Sequence, residues 1–219
     1  MSEPAIRDED ALATLLARRS VSPKRLRHPG PGLAQLELML QAALRAPDHG
    51  ALLPWRVIEF RTEQREALGD CFEQEKRRRD PLATADDVRR AREHATRPPM
   101  LLGFVVTPHA RSKVPVREQW LGAGAALCNL LNAAHQLGFG AIVLSGERCF
   151  DLELLKQLGV APHESLAGFV SLGSIAEPPP AARTVLPAQL WSCWMPELPR
   201  LASAGASVTD RPGGIGNGT

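Results

Sequence analysis

The chain has 219 residues, is 44% hydrophobic and carries a net charge of +2. That length suits one large domain, and the near-neutral balance gives no case for nucleic-acid binding through bulk electrostatics. No run reaches the ~18 uncharged apolar residues of a membrane-spanning helix. The acidic start (Glu3, Asp8, Glu9, Asp10) lacks the pattern of an export signal, which favours the cytoplasm.

Leu12, Leu15 and Leu16 share a face, so residues 8–19 are predicted to be a helix, with Pro23 barring its continuation. His28 to Gly32 is a loop. Leu33, Leu36, Leu40, Ala43 and Leu44 recur with helical period, giving a second helix over 33–46 that Pro47 stops. Residues 55–61 are a predicted strand. Residues 63–79 and 85–95 are predicted surface helices, the second opened by a capping box of Thr84 and Asp87. The basic run Lys76 to Arg79, with Arg89, Arg90 and Arg92, is interleaved with carboxylates and is read as a solvated helical face.

Residues 100–107 form an apolar run between Pro99 and Pro108, a central strand. The longest helix spans 116–137, with a small-sided middle from Gly122 to Ala126 that permits close approach, and Gly138 to end it. Short strands follow at 141–144 and 165–172, separated by a helix that Asp151 caps and that closes at Gly159. From Glu197 the composition turns to Gly, Ser, Ala and Pro, the signature of a disordered tail over 197–219. Residues 1–196 remain as one domain of α+β or α/β type.

Cys71, Cys128, Cys149 and Cys193 are widely spaced and form no C-x-x-C pair, so they read as reduced thiols with no metal site. A dinucleotide fingerprint, a phosphate-loop lysine and a hydrolase serine elbow are all absent. Two clusters stand out. Arg18-Arg19-Ser20 offers two guanidiniums and a hydroxyl, which suit a phosphate but equally complement a helix dipole. Arg45-Ala46-Pro47-Asp48-His49-Gly50, running to Pro54-Trp55, follows a helix and on its own is a stop signal and a turn.

Together these clusters resemble the nitroreductase family, in its short, minimal subgroup. The resemblance covers about residues 10–195. It continues through Lys113-Val114-Pro115 with Glu118-Gln119, the small-residue helix into Gly138-Phe139-Gly140, the Ser145-Gly146 turn, and Leu172-Gly173 before a proline-rich crossover. It implies an α+β fold of three layers, α/β/α, around a mostly antiparallel sheet, in an intertwined homodimer. It further implies an FMN-dependent oxidoreductase that passes a hydride from NAD(P)H to an electron-poor acceptor (a nitroaromatic, quinone or enone) in a ping-pong cycle. The alternative is a non-catalytic flavin binder that kept the fold.

Carried over by position, the resemblance implies that Arg18, Arg19 and Ser20 hold the FMN phosphate and ribityl end. Arg45 and His49 would reach the flavin of the other subunit, and Val143, Leu144 and Ser145 would line the isoalloxazine ring. Ala133, Ala134, His135, Gln136, Leu137 and Gly138 match a segment linked to the nicotinamide nucleotide, and Arg183 a further phosphate-binding position. No side chain is implied as catalytic, because the flavin carries the chemistry. The chain departs from the family pattern at two places. Leu53 stands before Pro54-Trp55 where relatives carry Gln or Arg, and Val143-Leu144 stands before Ser145-Gly146 where they often carry Trp-Arg. Retuning of the site for another acceptor and weakened flavin binding both remain open readings of that change.

Overall fold

The computed structural model describes residues 9–181 and 186–194; the tail over 197–219 and Arg183 lie outside the described residues. Residues 9–181 form one compact unit. Its helices are α1 (Glu9–Ala17), α2 (Leu33–Ala43), α3 (Arg65–Arg79), α4 (Ala85–Thr96), α5 (Val116–Gln136) and α6 (Leu152–Gln157). Its strands are β1 (Leu26–Arg27), β2 (Trp55–Phe60), β3 (Met100–Val106), β4 (Phe139–Leu144) and β5 (Ser165–Ile175). Residues 186–194 hold one 3-10 turn, Pro187–Gln189.

The helix signals act as the sequence predicts. Thr84 and Asp87 close their capping box, with the Asp87 N–H donating to Thr84 Oγ1 at 3.2 Å and the Thr84 N–H to Asp87 Oδ2 at 3.1 Å. The Asp151 carboxylate accepts from the Leu154 N–H at 2.7 Å. Gly138 ends α5 at φ +84°. Helix α2 stops short of the predicted Ala46, because the N–H groups of Arg45 and Ala46 turn to Ala42 and Ala43, three residues back. Strand β1 went unpredicted: two residues carry no periodicity, and its pairing with Ser174 and Ile175 is entirely tertiary.

All the named strand pairs are antiparallel. Strand β5 runs through the middle, with β4 on one edge and β3 followed by β2 on the other. The apolar run of β3 is buried on both faces, as its sequence implies. Leu102, Phe104 and Val106 face one core with Met39 of α2 and Ala123, Ala126 and Leu130 of α5. Leu101 and Val105 face the other, with Leu68 and Phe72 of α3, Ala95 of α4 and Leu154 of α6. The pairing slips between Phe104 and Val105, opposite Ala167. This bulge resets the side-chain parity of β5, so Leu166 and Phe169, three residues apart, share the second core. The result is helices on both faces of an antiparallel sheet.

The leucine face of α1 is not buried: Leu12, Leu15 and Leu16 are all exposed. Exposed apolar side chains also mark α2 and its end (Leu33, Leu38, Leu44) and the first half of α5 (Val116, Trp120, Leu121). Among the described residues no helix is long and apolar enough to cross a membrane.

Candidate functional site

Ser20 forms a parallel bridge with Ala141, and the Val21 N–H donates to the Ala141 carbonyl at 3.0 Å. The Arg18-Arg19-Ser20 segment is thereby laid along the free edge of β4. Arg19 donates from Nη1 to the Pro180 carbonyl at 3.2 Å. Further along that edge, β4 ends in the Ser145-Gly146 turn. Gly168 of β5 permits this approach, since a Cβ there would meet Val143 Cγ1 at 2.8 Å and the Leu144 carbonyl oxygen at 3.2 Å.

Between this edge and the α3–α4 layer lies a cavity of about 690 Å³. Ser22, Pro23 and Lys24 line one side of it, and Leu144, Ser145 and Gly146 line another. Its floor is the sheet face of Leu101, Phe169 and Ser171, with Phe72 from α3. Arg79, Arg89, Arg90, Glu93, His94 and Arg97 form the helical wall, and Glu147 and Arg148 close the corner. Six cations therefore face two carboxylates around an apolar floor. A cavity with an apolar body and a few charged groups is a usual ligand-site architecture.

The corner is anchored by a buried carboxylate. Glu75 has a side chain with no exposed surface. It accepts from Arg79 Nε at 2.5 Å and lies 3.6 Å from Arg148 Nε, while its Oε2 accepts no hydrogen bond. Arg79 also donates to Glu147 at 2.5 Å, and the Arg148 guanidinium sits 4.2 Å above the Phe72 ring. Burial lowers the pKa of Arg148. Burial, and then the charges of Arg148 and Arg97, pull the His94 pKa below its ordinary value, so His94 favours its neutral form. On the lip, Arg97 pairs with Glu93, and Arg89 with Glu93 and Asp86. Lys24 makes no hydrogen bond or ion pair among the described residues.

Of the residues singled out in the sequence, Ser20 and Val143 to Ser145 share the β4 edge. Leu144 and Ser145 line the cavity; Val143 turns to the opposite core. Arg45 and His49 lie elsewhere on the chain. Arg45 borders a second hollow, of about 530 Å³, with Leu38, Gln41, Ala42 and Leu44. The His49 imidazole meets Glu118 Oε2 at 2.8 Å, at the start of α5. Neither residue bonds to the β4 edge of its own chain. Ala134 is fully buried in the core, with Ala133 and Leu137 packed against it, which leaves His135, Gln136 and Gly138 as the accessible members of that segment. Leu53 is half exposed, at φ +47°, away from the cavity. The α3–α4 wall escaped sequence reading, because interleaved charge on a helix is also the mark of a solvated face.

The model of the nitroreductase family matches residues 15–174. The chain belongs to the nitroreductase family. It is 34% identical over 168 residues to the Escherichia coli protein named "Putative NAD(P)H nitroreductase YdjA", covering 75% of this chain and 88% of that protein. A Haemophilus influenzae protein named "Putative NAD(P)H nitroreductase" is 33% identical over 167 residues, covering 75% of this chain and 88% of that protein. The fold recurs in a nitroreductase-like family protein from Bacillus cereus, with a TM-score of 0.73 at 17% identity over 87% of this chain and 99% of that one. It recurs also in a nitroreductase with bound FMN from Bacteroides fragilis, with a TM-score of 0.62 at 21% identity over 86% of this chain and 100% of that one.

Proposed function

We propose that this nitroreductase-family chain is an FMN-dependent oxidoreductase working as a homodimer, with NAD(P)H as co-substrate and an electron-poor acceptor as its other substrate. The observation that carries this reading is the meeting of two separate sequence segments, Ser22 to Lys24 and Leu144 to Gly146, in one cavity directly beside Arg18-Arg19-Ser20. The donor set suits FMN. Phe72, Leu101, Leu144 and Phe169 form an apolar seat for a flat ring system, and the two guanidiniums at the neighbouring edge suit a phosphate through forked, charge-assisted hydrogen bonds. The named B. fragilis relative of the same fold, which holds FMN, supports the same choice.

When bound, FMN would supply the redox chemistry between NAD(P)H and a nitroaromatic, quinone or enone acceptor in a ping-pong cycle. The protein's own work is placement. Arg18, Arg19 and Ser20 fix the phosphate end, while Leu144 and Ser145 border the ring. His135, Gln136 and Gly138 are the members of the nucleotide-linked segment open to NAD(P)H. The cations of Lys24, Arg97 and Arg148 make the cavity favourable for negative charge on its occupant. The uncovered apolar faces of α1, α2 and α5 are the surface a second copy would bury, and Arg45 and His49 would then serve the partner's flavin.

The protein should purify with non-covalent FMN, visible in its absorbance spectrum. Replacing Arg18 and Arg19 by Ala should weaken FMN binding by at least ~2 kcal/mol, since hydrogen bonds to charged groups are worth about 1.5–3 kcal/mol each. Unchanged affinity in that double variant overturns the assignment. Tight FMN binding with no NAD(P)H oxidation selects the non-catalytic binder instead.

A further inference from the structure

We propose that Glu118 is the positioning residue of His49, holding the imidazole so that Nε2 is the nitrogen presented to the partner's flavin; this rests on the role given to His49 above. His49 Nδ1 lies 2.8 Å from Glu118 Oε2, with the ring 68% exposed and the carboxylate 35%. A carboxylate only accepts, so the shared proton belongs on Nδ1. Nε2 has no partner among the described residues and is the atom left for a ligand.

The loop that carries His49 is built more firmly than an exposed turn needs. The Asp48 carboxylate accepts from the Leu53 N–H at 2.6 Å, and the Ala51 N–H donates to the Asp48 carbonyl at 3.1 Å. Ala51 and Leu53 sit at φ +49° and +47°, a left-handed conformation that costs non-glycine residues energy and persists where surroundings over-determine it. Helix α5 presses on this loop at Gly122, where a Cβ would meet the Pro47 carbonyl oxygen at 3.3 Å. The same helix carries Glu118 in its first turn. Next to it, the buried Gln119 receives the His109 N–H at 2.8 Å and donates to the Val114 carbonyl at 2.9 Å, tying down the segment that leads into α5. An exposed histidine–carboxylate pair contributes little to stability by itself. Strain on one side of the ring and a fixed acceptor on the other are what an oriented ligand group requires.

The test uses the full-length homodimer with two readouts: the FMN dissociation constant from fluorescence titration, and the tautomer of neutral His49 from nitrogen-15 shifts of its ring. His49→Ala and Glu118→Ala should each raise the FMN dissociation constant about tenfold, and the double variant no further. Glu118→Gln keeps an oxygen that accepts from Nδ1–H, and it should stay within about threefold of the parent while preserving the tautomer. Neutral His49 should be Nδ1–H in the parent and revert to Nε2–H in Glu118→Ala. Parent affinity and parent tautomer in Glu118→Ala, with His49→Ala weakened, overturn the proposal and leave the role of His49 standing. Parent affinity in His49→Ala removes that role itself, and the proposal with it.

Discussion

The two faces of the sheet are finished in opposite ways. On the α2–α5 face the inner surface is small and dry, with Met39, Ala43, Ala123, Ala126, Leu130 and Ala134 all buried. The outer surface of those helices is again apolar, with Leu33, Leu38, Trp120 and Leu121 exposed. On the α3–α4–α6 face the core is aromatic, with the Phe169 ring in contact with both Phe60 and Phe72. There the outer surface of α3 and α4 is closed by ion pairs, such as Arg77 with Glu73 and Arg89 with Glu93, and neither helix exposes a large apolar side chain, although Leu152 at the start of α6 is exposed. A helix that is apolar on both sides lacks a layer, whereas one with a charged outer side is complete in water. The difference fits the proposal that a second copy covers the first face and leaves the second to solvent and ligand.

The largest expected effect lies at the uncovered face. Replacing Trp120 and Leu121 together by Glu should weaken the dimer by about 3 kcal/mol, given that single buried anchors at interfaces are worth 2 kcal/mol or more. Sedimentation equilibrium at micromolar concentration would read it, and FMN content should fall alongside if Arg45 and His49 serve across the interface as proposed. A variant that stays dimeric puts the interface elsewhere. The parent interface should exceed the ~1,600 Å² of a standard contact.

The charged face should break with acid. Glu164, 8% exposed, receives Arg56 Nε and Nη2 at 2.7 Å each and the Ala161 N–H at 2.9 Å. These bonds, led by Arg56, lower its pKa to about 2. A carboxylate depressed on folding stabilises the protein above its ordinary pKa and loses that contribution as pH falls toward the folded value. Because Arg56 is over a third exposed, the contribution is about 2 kcal/mol after allowance for screening. Urea titrations should show Glu164→Gln less stable by that amount at pH 7, with the gap closing between about pH 4.5 and 2. A gap that persists at pH 2 would mean the loss comes from packing.

The smallest effect belongs to the corner where the faces meet. Leu144 borders the cavity, so Leu144→Arg should raise the midpoint potential of bound FMN by favouring negative charge there. Lys24, Arg97 and Arg148 already line the same space, which limits the gain to about 30 mV, equivalent to ~1.4 kcal/mol for two electrons. A potential that is unchanged or lower shows that Leu144 does not face the flavin. The cationic lip also revises what the aliphatic departure implies: the wall at Leu144 is apolar, but the cavity as a whole favours negative charge.

Much of this was legible in the residues. Period, caps and proline stops located all six helices to within a few positions, and the proline-flanked run of β3 announced a strand buried on both faces. Parity on β5 was not legible, since the bulge at Ala167 depends on its neighbour's register. The site divides in the same way. Arg18-Arg19-Ser20 and the Ser145 turn are compact segments whose chemistry is local. Arg90, His94 and Arg97 matter only because α4 packs over Leu101 and Phe169, and a helix carries no local mark of what it will cover. Glu75 is hidden for the same reason: within a basic run it reads as one more surface carboxylate, yet its side chain is fully buried.

Among the described residues the bridge between Ser20 and Ala141 is the one parallel contact in an antiparallel sheet, and it hangs on the backbone amide of Val21, a residue only 2% exposed. That amide hydrogen is protected from solvent exchange only while the arginine segment stays docked on β4. The deuterium uptake of Val21 reports, with no label attached and no turnover required, whether the Arg18-Arg19-Ser20 segment is docked on β4.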